Sequence, residues 1–416
     1  MNRILSVALF LLVVVNSSLA QVGTSSPYSR FGLGDLQGTV FPEYNALGGG
    51  VTALSDLNSI NPYNPATFSY GPNSFLLSTG GMHKTTNMQN ASENQITNNS
   101  AFSHLTIAFP ISKKIGASLG MLPYSNIGYE LNSRETIYNA DLMYSGDGGI
   151  SKVYFGGAYK LTNELSVGAN ASYLFGGLNR RKKVVYDDES FFNSRSNSKI
   201  NLQGYYYEVG LLYKKNISEN KELTIGLTAN NNSEIRGKIS ELVETFEYSG
   251  VFELPKDTFE NTTEWGYVTL PRYISAGITY REGKRMLLVV DYSLQNWAEY
   301  RLFDESDNLN NSMKISGGIQ YTPEYNSVTK YYKRMQYRLG TSYYNTPLQF
   351  DNNQLTDKSI SFGIGIPVKR SRTKYDLSVT LGERGTTENN LLKEQYIKFG
   401  LSVSYNGLWF IKRKYD

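Results

Sequence analysis

The chain has 416 residues, no cysteine, 19% charged residues and a 13% aromatic share that includes 33 tyrosines. Repeated runs of about 20 apolar residues, which a helical membrane protein needs, are missing. Without cysteine neither a disulfide scaffold nor a thiolate metal centre can form, and the aromatic content opposes intrinsic disorder. The formal charge of +4 comes without a long basic block, so nothing points to nucleic acid as a partner.

At the N-terminus Arg3 precedes a twelve-residue apolar stretch, Ile4 to Val15, followed by Asn16-Ser17-Ser18-Leu19-Ala20. A charged start, a short greasy core and small residues at the −3 and −1 positions read as a signal peptide over 1–20, cleaved after Ala20. A buried N-terminal helix is the competing reading. No cysteine follows, so a lipoprotein anchor is excluded.

Residues 21–72 do not alternate and are punctuated by glycine and proline. A flexible linker could look like this, but it would rarely carry Phe31, Leu33, Leu36, Val51, Leu54 and Phe68, which call for burial.

From residue 73 to 416 the period is two. Ile397, Phe399, Leu401, Val403 and Tyr405 alternate with Lys398, Gly400, Ser402 and Ser404; the same rhythm runs through 165–175, 223–228 and 360–366. Fourteen spans follow: 73–83, 101–111, 114–133, 149–161, 164–186, 198–215, 222–247, 264–281, 284–301, 312–322, 333–345, 357–368, 373–384 and 395–411. The even number suits a transmembrane antiparallel up-and-down β-barrel. Short links alternate with long polar ones (84–100, 134–148, 187–197, 248–263, 302–311, 346–356 and 385–394), and 323–332 is the exception among the short ones. Outer-membrane barrels keep periplasmic turns short, so both termini are expected in the periplasm and the long loops outside. A soluble sandwich would also alternate, but a closed sheet this wide cannot fill its lumen with its own side chains. The simplest place for 21–72 is therefore that lumen, as a plug. Spans 164–186 and 222–247 exceed the 9–11 residues that cross a bilayer and are expected to rise above it as a rim.

Chemistry-bearing patterns are sparse. His83 and His104 lie on the first two strands, His104 facing the lumen; two ligands without a carboxylate or thiolate make a poor metal site, so solvated histidines are expected. Ser145-Gly146-Asp147-Gly148-Gly149 lacks calcium-loop spacing, and Asp187-Asp188-Glu189 reads as a solvated loop. No nucleophile elbow, P-loop or zinc-protease motif occurs. No catalytic, cofactor or metal residue is assigned, and no enzyme activity is expected.

The run ALGGGVTALSDLNSINPYNPATFS, ending in Asn64-Pro65-Ala66, resembles the N-terminal hatch of the long-chain fatty-acid transporter family, the FadL-like outer-membrane barrels. SPYSRFGLGDL, YRLGTSYYNTPLQF, SISFGIGIPV and LWFIKRKYD are similar to a branch found in Bacteroidota. The resemblance implies fourteen strands plugged by a hatch, with Gly48, Gly49, Gly50, Asn64, Pro65 and Ala66 shaping the gate or, equally, a static plug. It also implies a kinked third strand that opens the wall sideways. Here that strand is interrupted by Pro123-Tyr124-Ser125-Asn126, and proline cannot donate to a ladder; a lateral opening and a simple bulge both fit.

The last strand, with Phe399, Tyr405, Trp409 and Phe410, resembles the signal read by the barrel-insertion machinery, although Ile411 to Asp416 follow it. Lys412, Arg413 and Lys414 are expected to be solvated rather than bound to an acidic partner. For function, the resemblance implies passive uptake of small hydrophobic compounds. The polar lumen positions fit a second role known for such barrels in Bacteroidota, that of a non-transporting subunit of an outer-membrane secretion or assembly complex. Membrane lipid, a hydrophobic ligand and envelope proteins are the corresponding partners.

Overall fold

The computed structural model describes residues 24–71, 74–90, 93–350, 353–369, 371 and 373–407. The expected signal peptide over 1–20 and the tail from Leu408 lie outside them. From Phe75 to Gly407 the described residues build one closed antiparallel sheet of fourteen strands: β1 (Phe75–Gln89), β2 (Asn94–Pro110), β3 (Ile115–Glu135), β4 (Ala140–Lys160), β5 (Leu165–Tyr186), β6 (Asn193–Ser218), β7 (Lys221–Asn230 continued by Ser233–Ser249), β8 (Phe252–Leu270 continued by Tyr273–Glu282), β9 (Met286–Gln295), β10 (Ser312–Tyr321), β11 (Gln336–Phe350), β12 (Asn353–Pro367), β13 (Lys374–Gly385) and β14 (Lys393–Gly407). The ring closes where β14 pairs with β1, from Lys393↔Gln89 to Gly407↔Phe75.

Side-chain alternation sets the two faces. Ile397, Phe399 and Leu401 point outward, while Ser402 and Ser404 are buried on the lumen side; Ile360 and Phe362 alternate in the same way with Ser361. A belt of exposed isoleucine, leucine, valine and phenylalanine therefore surrounds the wall. So continuous an apolar surface is stable against lipid and not against water.

β7 and β8 are each single strands broken once. The lower part of β7 pairs with β6 and with Tyr273–Glu282 of β8, and its upper part pairs with β6 and with Phe252–Leu270. The expected span 222–247 is thus interrupted at 231–232.

The expected long loops are mostly strand. The β1–β2 ladder continues to Gln89↔Asn94, β3–β4 to Glu135↔Ala140, and β7–β8 to Ser249↔Phe252. Loops at 84–100, 134–148 and 248–263 are therefore corrected to strand extensions. The physical reason is exposure: nearly every residue from Phe252 to Trp265 is wet, so no face needs apolar side chains and the period-two signal disappears while the ladder persists. Connections 296–311 and 386–392 remain true loops on this tall rim. Phe75 and Gly407, the first and last ladder residues, lie at the opposite rim of short links, where 322–335 is again the exception.

Candidate functional site

Residues 24–71 lie inside the barrel, with Val40, Phe41, Tyr44, Leu47, Val51, Leu54, Ile60 and Phe68 packed on Leu76, Leu122, Tyr154 and Val289 of the wall. Two signals in the segment fold it locally. Pro42 opens a short helix, Pro42–Asn45, and Asn64 caps the 3-10 turn Pro65–Tyr70 by accepting the Ala66 N–H at 3.0 Å. The Asn64 amide also donates to the carbonyls of Thr52 (2.6 Å) and Leu211 (3.2 Å), so one side chain joins two plug segments to β6.

The wall makes room with glycines. A Cβ on Gly210 would stand 2.1 Å from Asn64 Oδ1, and one on Gly168 would stand 2.5 Å from the Pro65 carbonyl carbon. Across the lumen, a Cβ on Gly340 would meet Gly48 N at 2.1 Å. Gly48 (φ +71) and Gly49 (φ +85) adopt the left-handed backbone that brings this turn against β10 and β11. Gly50 faces Val289. Beside that turn the Asp291 carboxylate accepts the N–H groups of Val51 and Thr52, both at 2.6 Å.

Ion pairs complete the fixing. Lys374 donates to Glu43 at 2.5 Å and lies 3.1 Å from Asp376, which Arg338 holds at 2.6 Å; all four are buried. Arg384 pairs with Asp35 (2.8 Å) and Glu394 (2.7 Å), and Arg281 lies 3.7 Å from Asp56. Burial pushes the Glu43 carboxyl up to about 7 against the pull of Lys374. Burial opposes ionisation of Asp35 and Asp56 too, but Arg384 and Arg281 outweigh it and hold both below the usual carboxylate range.

Among the described residues the wall parts between β2 and β3. β2 and β3 share a ladder only from Pro110↔Gly116 to Leu105↔Met121. Above that, β3 pairs with β4 alone, with a register shift between Pro123 and Ser125, and β2 pairs with β1 alone. The freed edge of β3 is taken by the plug: Asp35 and Leu36 pair with Asn126 and Ser125, and Gln37 N–H donates to the Tyr124 carbonyl at 2.9 Å. Behind the gap lies a cavity of about 420 Å³. Leu36, Leu122, Pro123, Tyr124 and Tyr206 line it toward the gap, with Lys84, Lys314, Lys398 and Asp357 among the residues that line the rest. Pro123–Asn126 thus coincide with a real discontinuity, one that includes a bulge and also a missing ladder.

The mouth is covered. Trp297, Tyr300 and Leu309 of the loop 296–311 are buried with Tyr28 and Leu33 of the plug and Leu174, Leu178 and Ile235 of the wall. The Phe303 ring lies where side chains on Gly237 and Gly266 would be.

The model of the BamG family matches residues 1–416. The chain belongs to the BamG family. No curated protein matches its sequence. Among solved structures it is similar to the Pseudomonas putida toluene transporter TodX (TM-score 0.62, 14% identity, 91% of this chain and 100% of that one). It is also similar to the Ralstonia pickettii toluene transporter TbuX (0.60, 13%, 88% and 98%) and to a Pseudomonas aeruginosa FadL homologue (0.59, 10%, 89% and 99%). At these identities the likeness establishes the fold alone, a closed fourteen-stranded antiparallel barrel like theirs.

In this BamG-family barrel the histidines are not brought together. His83 is exposed and bonds Ser100. His104 is fully buried, stacked on Phe41 at 3.7 Å between ring centroids and bonded to Ser78 and Ser103. Its expected solvation is corrected: it faces the lumen as alternation predicts, but Phe41 of the plug covers it there, and the register shift between Gly80 and Gly81 leaves Ser103 as an extra residue turned inward beside it. Among the described residues no cluster of three or more histidine, aspartate or glutamate side chains is arranged to hold a metal.

The wall half of the site was not legible in the sequence. Gly168, Gly210 and Gly340 were visible only as small residues on the polar face, and Asp291, Arg338, Lys374 and Asp376 as isolated charges in alternating strands. Charged residues at positions that must face a lumen were the available signal, since such groups are buried only with partners.

Proposed function

We propose that this barrel is an outer-membrane channel for passive uptake of small hydrophobic compounds, with the plug as its gate and release through the side of the wall. The observation that carries the reading is the end of the β2–β3 ladder at Leu105↔Met121, with the 420 Å³ cavity behind it. A break in a ladder exposes backbone groups that a bilayer cannot satisfy, so its upkeep at the edge filled by Asp35 and Leu36 fits a route. The solved structures named toluene transporters support the substrate class. In this reading the short-link rim and both termini are periplasmic, the tall rim is extracellular, Gly48–Gly50 and Asn64–Ala66 are the gate hinges, and Pro123–Asn126 frame the exit.

The test exploits the absence of cysteine. Ala101→Cys and Tyr124→Cys place thiols on cavity-lining residues of the two banks. A short thiol-reactive bridge between them is expected to stop uptake of labelled toluene into reconstituted vesicles. Undiminished uptake by the bridged barrel would sink the lateral route.

A second reading, a non-transporting subunit of an envelope secretion or assembly complex, is favoured by the fixing of the plug. Buried ion pairs, glycine contacts and the covering loop 296–311 all hold it, and the cavity is rich in charge, unlike an apolar ligand site. Mass spectrometry of the tagged barrel extracted gently from its own membrane separates the two. A barrel carrying a hydrocarbon supports the channel, and a fixed complex without ligand supports the subunit.

A further inference from the structure

We propose that the upper part of β8, residues 260–266, is a docking edge for an extended, basic segment of another envelope protein, which would add to the sheet as a strand; this rests on the subunit reading. Residues 252–266 pair with β7 on one side only. On the other side, among the described residues, partners begin lower down, where Val268 and Thr269 meet Leu302 and Arg301 and the Tyr267 carbonyl accepts the Phe303 N–H. A row of unpaired backbone donors and acceptors is a template for strand addition.

The two halves of this edge differ. From Phe252 to Thr258 it is protected, with Pro255, Lys256 and two register shifts that break its regularity. From Glu260 to Gly266 the ladder with β7 is unbroken and the edge has neither proline nor lysine. Seven regular residues match an ordinary strand length.

Charge selects the occupant. Alternation from Ile239, which packs inward on the core, puts its ladder partner Glu264 on the inner face, together with Glu260 and the Glu241–Thr262 pair. None of Glu241, Glu260 and Glu264 has an ion-pair partner among the described residues, whereas Glu244, Glu247 and Glu253 nearby all do. A strand with lysine or arginine at alternate positions would meet these carboxylates. A second copy fits badly, because antiparallel self-pairing centred on Thr262 sets Glu260 against Glu264, and like charges directly opposite repel.

The test uses the full-length barrel in detergent and an acetylated octapeptide of alternating lysine and valine. Hydrogen exchange across 260–266 is expected to slow about tenfold with this peptide, not with a glutamate–valine one, and the effect is expected to vanish in an E260K/E264K variant. Unchanged exchange in β1, β12 and β14 shows that the variant is folded. Equal protection by both peptides, no protection by either, or protection that rises with barrel concentration alone would each overturn the proposal. A barrel recovered alone from its membrane that still binds the basic peptide removes the subunit reading and leaves the edge; a fixed complex without peptide protection does the reverse.

Discussion

Lys374 of β13 donates to Glu43 of the plug helix at 2.5 Å, an ion pair between residues 331 positions apart that locks the plug to the wall. Removing one member leaves the other buried among Asp376 and Arg338. Lys374→Met is expected to destabilise the docked plug by roughly 3–5 kcal/mol, and the Lys374→Met/Glu43→Leu double variant to recover most of that. Limited proteolysis within residues 38–60 of the reconstituted barrel reads the difference. Equal protection of wild type and single variant would show that the pair contributes nothing to docking.

The plug carboxylates respond to pH in opposite senses. Glu43 is raised from 4.5 to about 7, so between those values the folded state holds a proton that the unfolded chain has released. Its contribution is full below pH 4.5 and is lost as pH rises through about 7. Asp35 and Asp56 are lowered from 3.8; their contributions are present above 3.8 and are lost as pH falls below it. Urea resistance of the plug is expected to decline from pH 4.5 to 7 in wild type, to stay flat in Glu43→Gln, and to collapse in both under stronger acid. A decline that persists in Glu43→Gln would assign the effect to another group.

The contact of Gly210 with Asn64 predicts non-additive mutants. Gly210→Ala forces a methyl onto Asn64 Oδ1, which overpacks the site at a cost of about 1–3 kcal/mol. Asn64→Ala loses the cap of the 3-10 turn and two donated hydrogen bonds, worth about 2–3 kcal/mol together. The double variant is expected to cost less than the sum, because the oxygen that the methyl strikes is gone. Thermal unfolding of the four proteins checks this, and strict additivity would mean that the two residues do not touch.

The membrane-crossing part of each strand was legible because lipid outside and a polar lumen inside impose alternation, as in Ile397 to Ser404. The same strands were illegible higher up: Phe252 to Trp265 has water on both faces, and its composition reads as loop. The burial of Phe31, Leu33 and Phe68 pointed to the plug, and Pro123 to the gap. Its partners were not legible, because Gly210 meets Asn64 and Lys374 meets Glu43 only after the ring has closed. The lumen side of His104 followed from alternation, but its burial depends on Phe41 of the plug stacking over it, which no local pattern announces.

The hydrogen bond from Gln37 to Tyr124 gives a direct test of the gap. Gln37 N–H is the last donor that the plug offers to the freed edge of β3, below the pairs Leu36↔Ser125 and Asp35↔Asn126. Gln37→Pro removes that donor, and the extended backbone of Leu36 suits a following proline. The loss is expected to cost about 1 kcal/mol, a several-fold increase in local opening, read as faster exchange of the amides at 35–36 with the rest of the barrel unchanged. If hydrocarbon leaves through this gap, the rate of toluene uptake into vesicles rises with the same variant. Faster exchange without faster uptake would detach the gap from transport and leave the plug strand as a static seal on a broken wall.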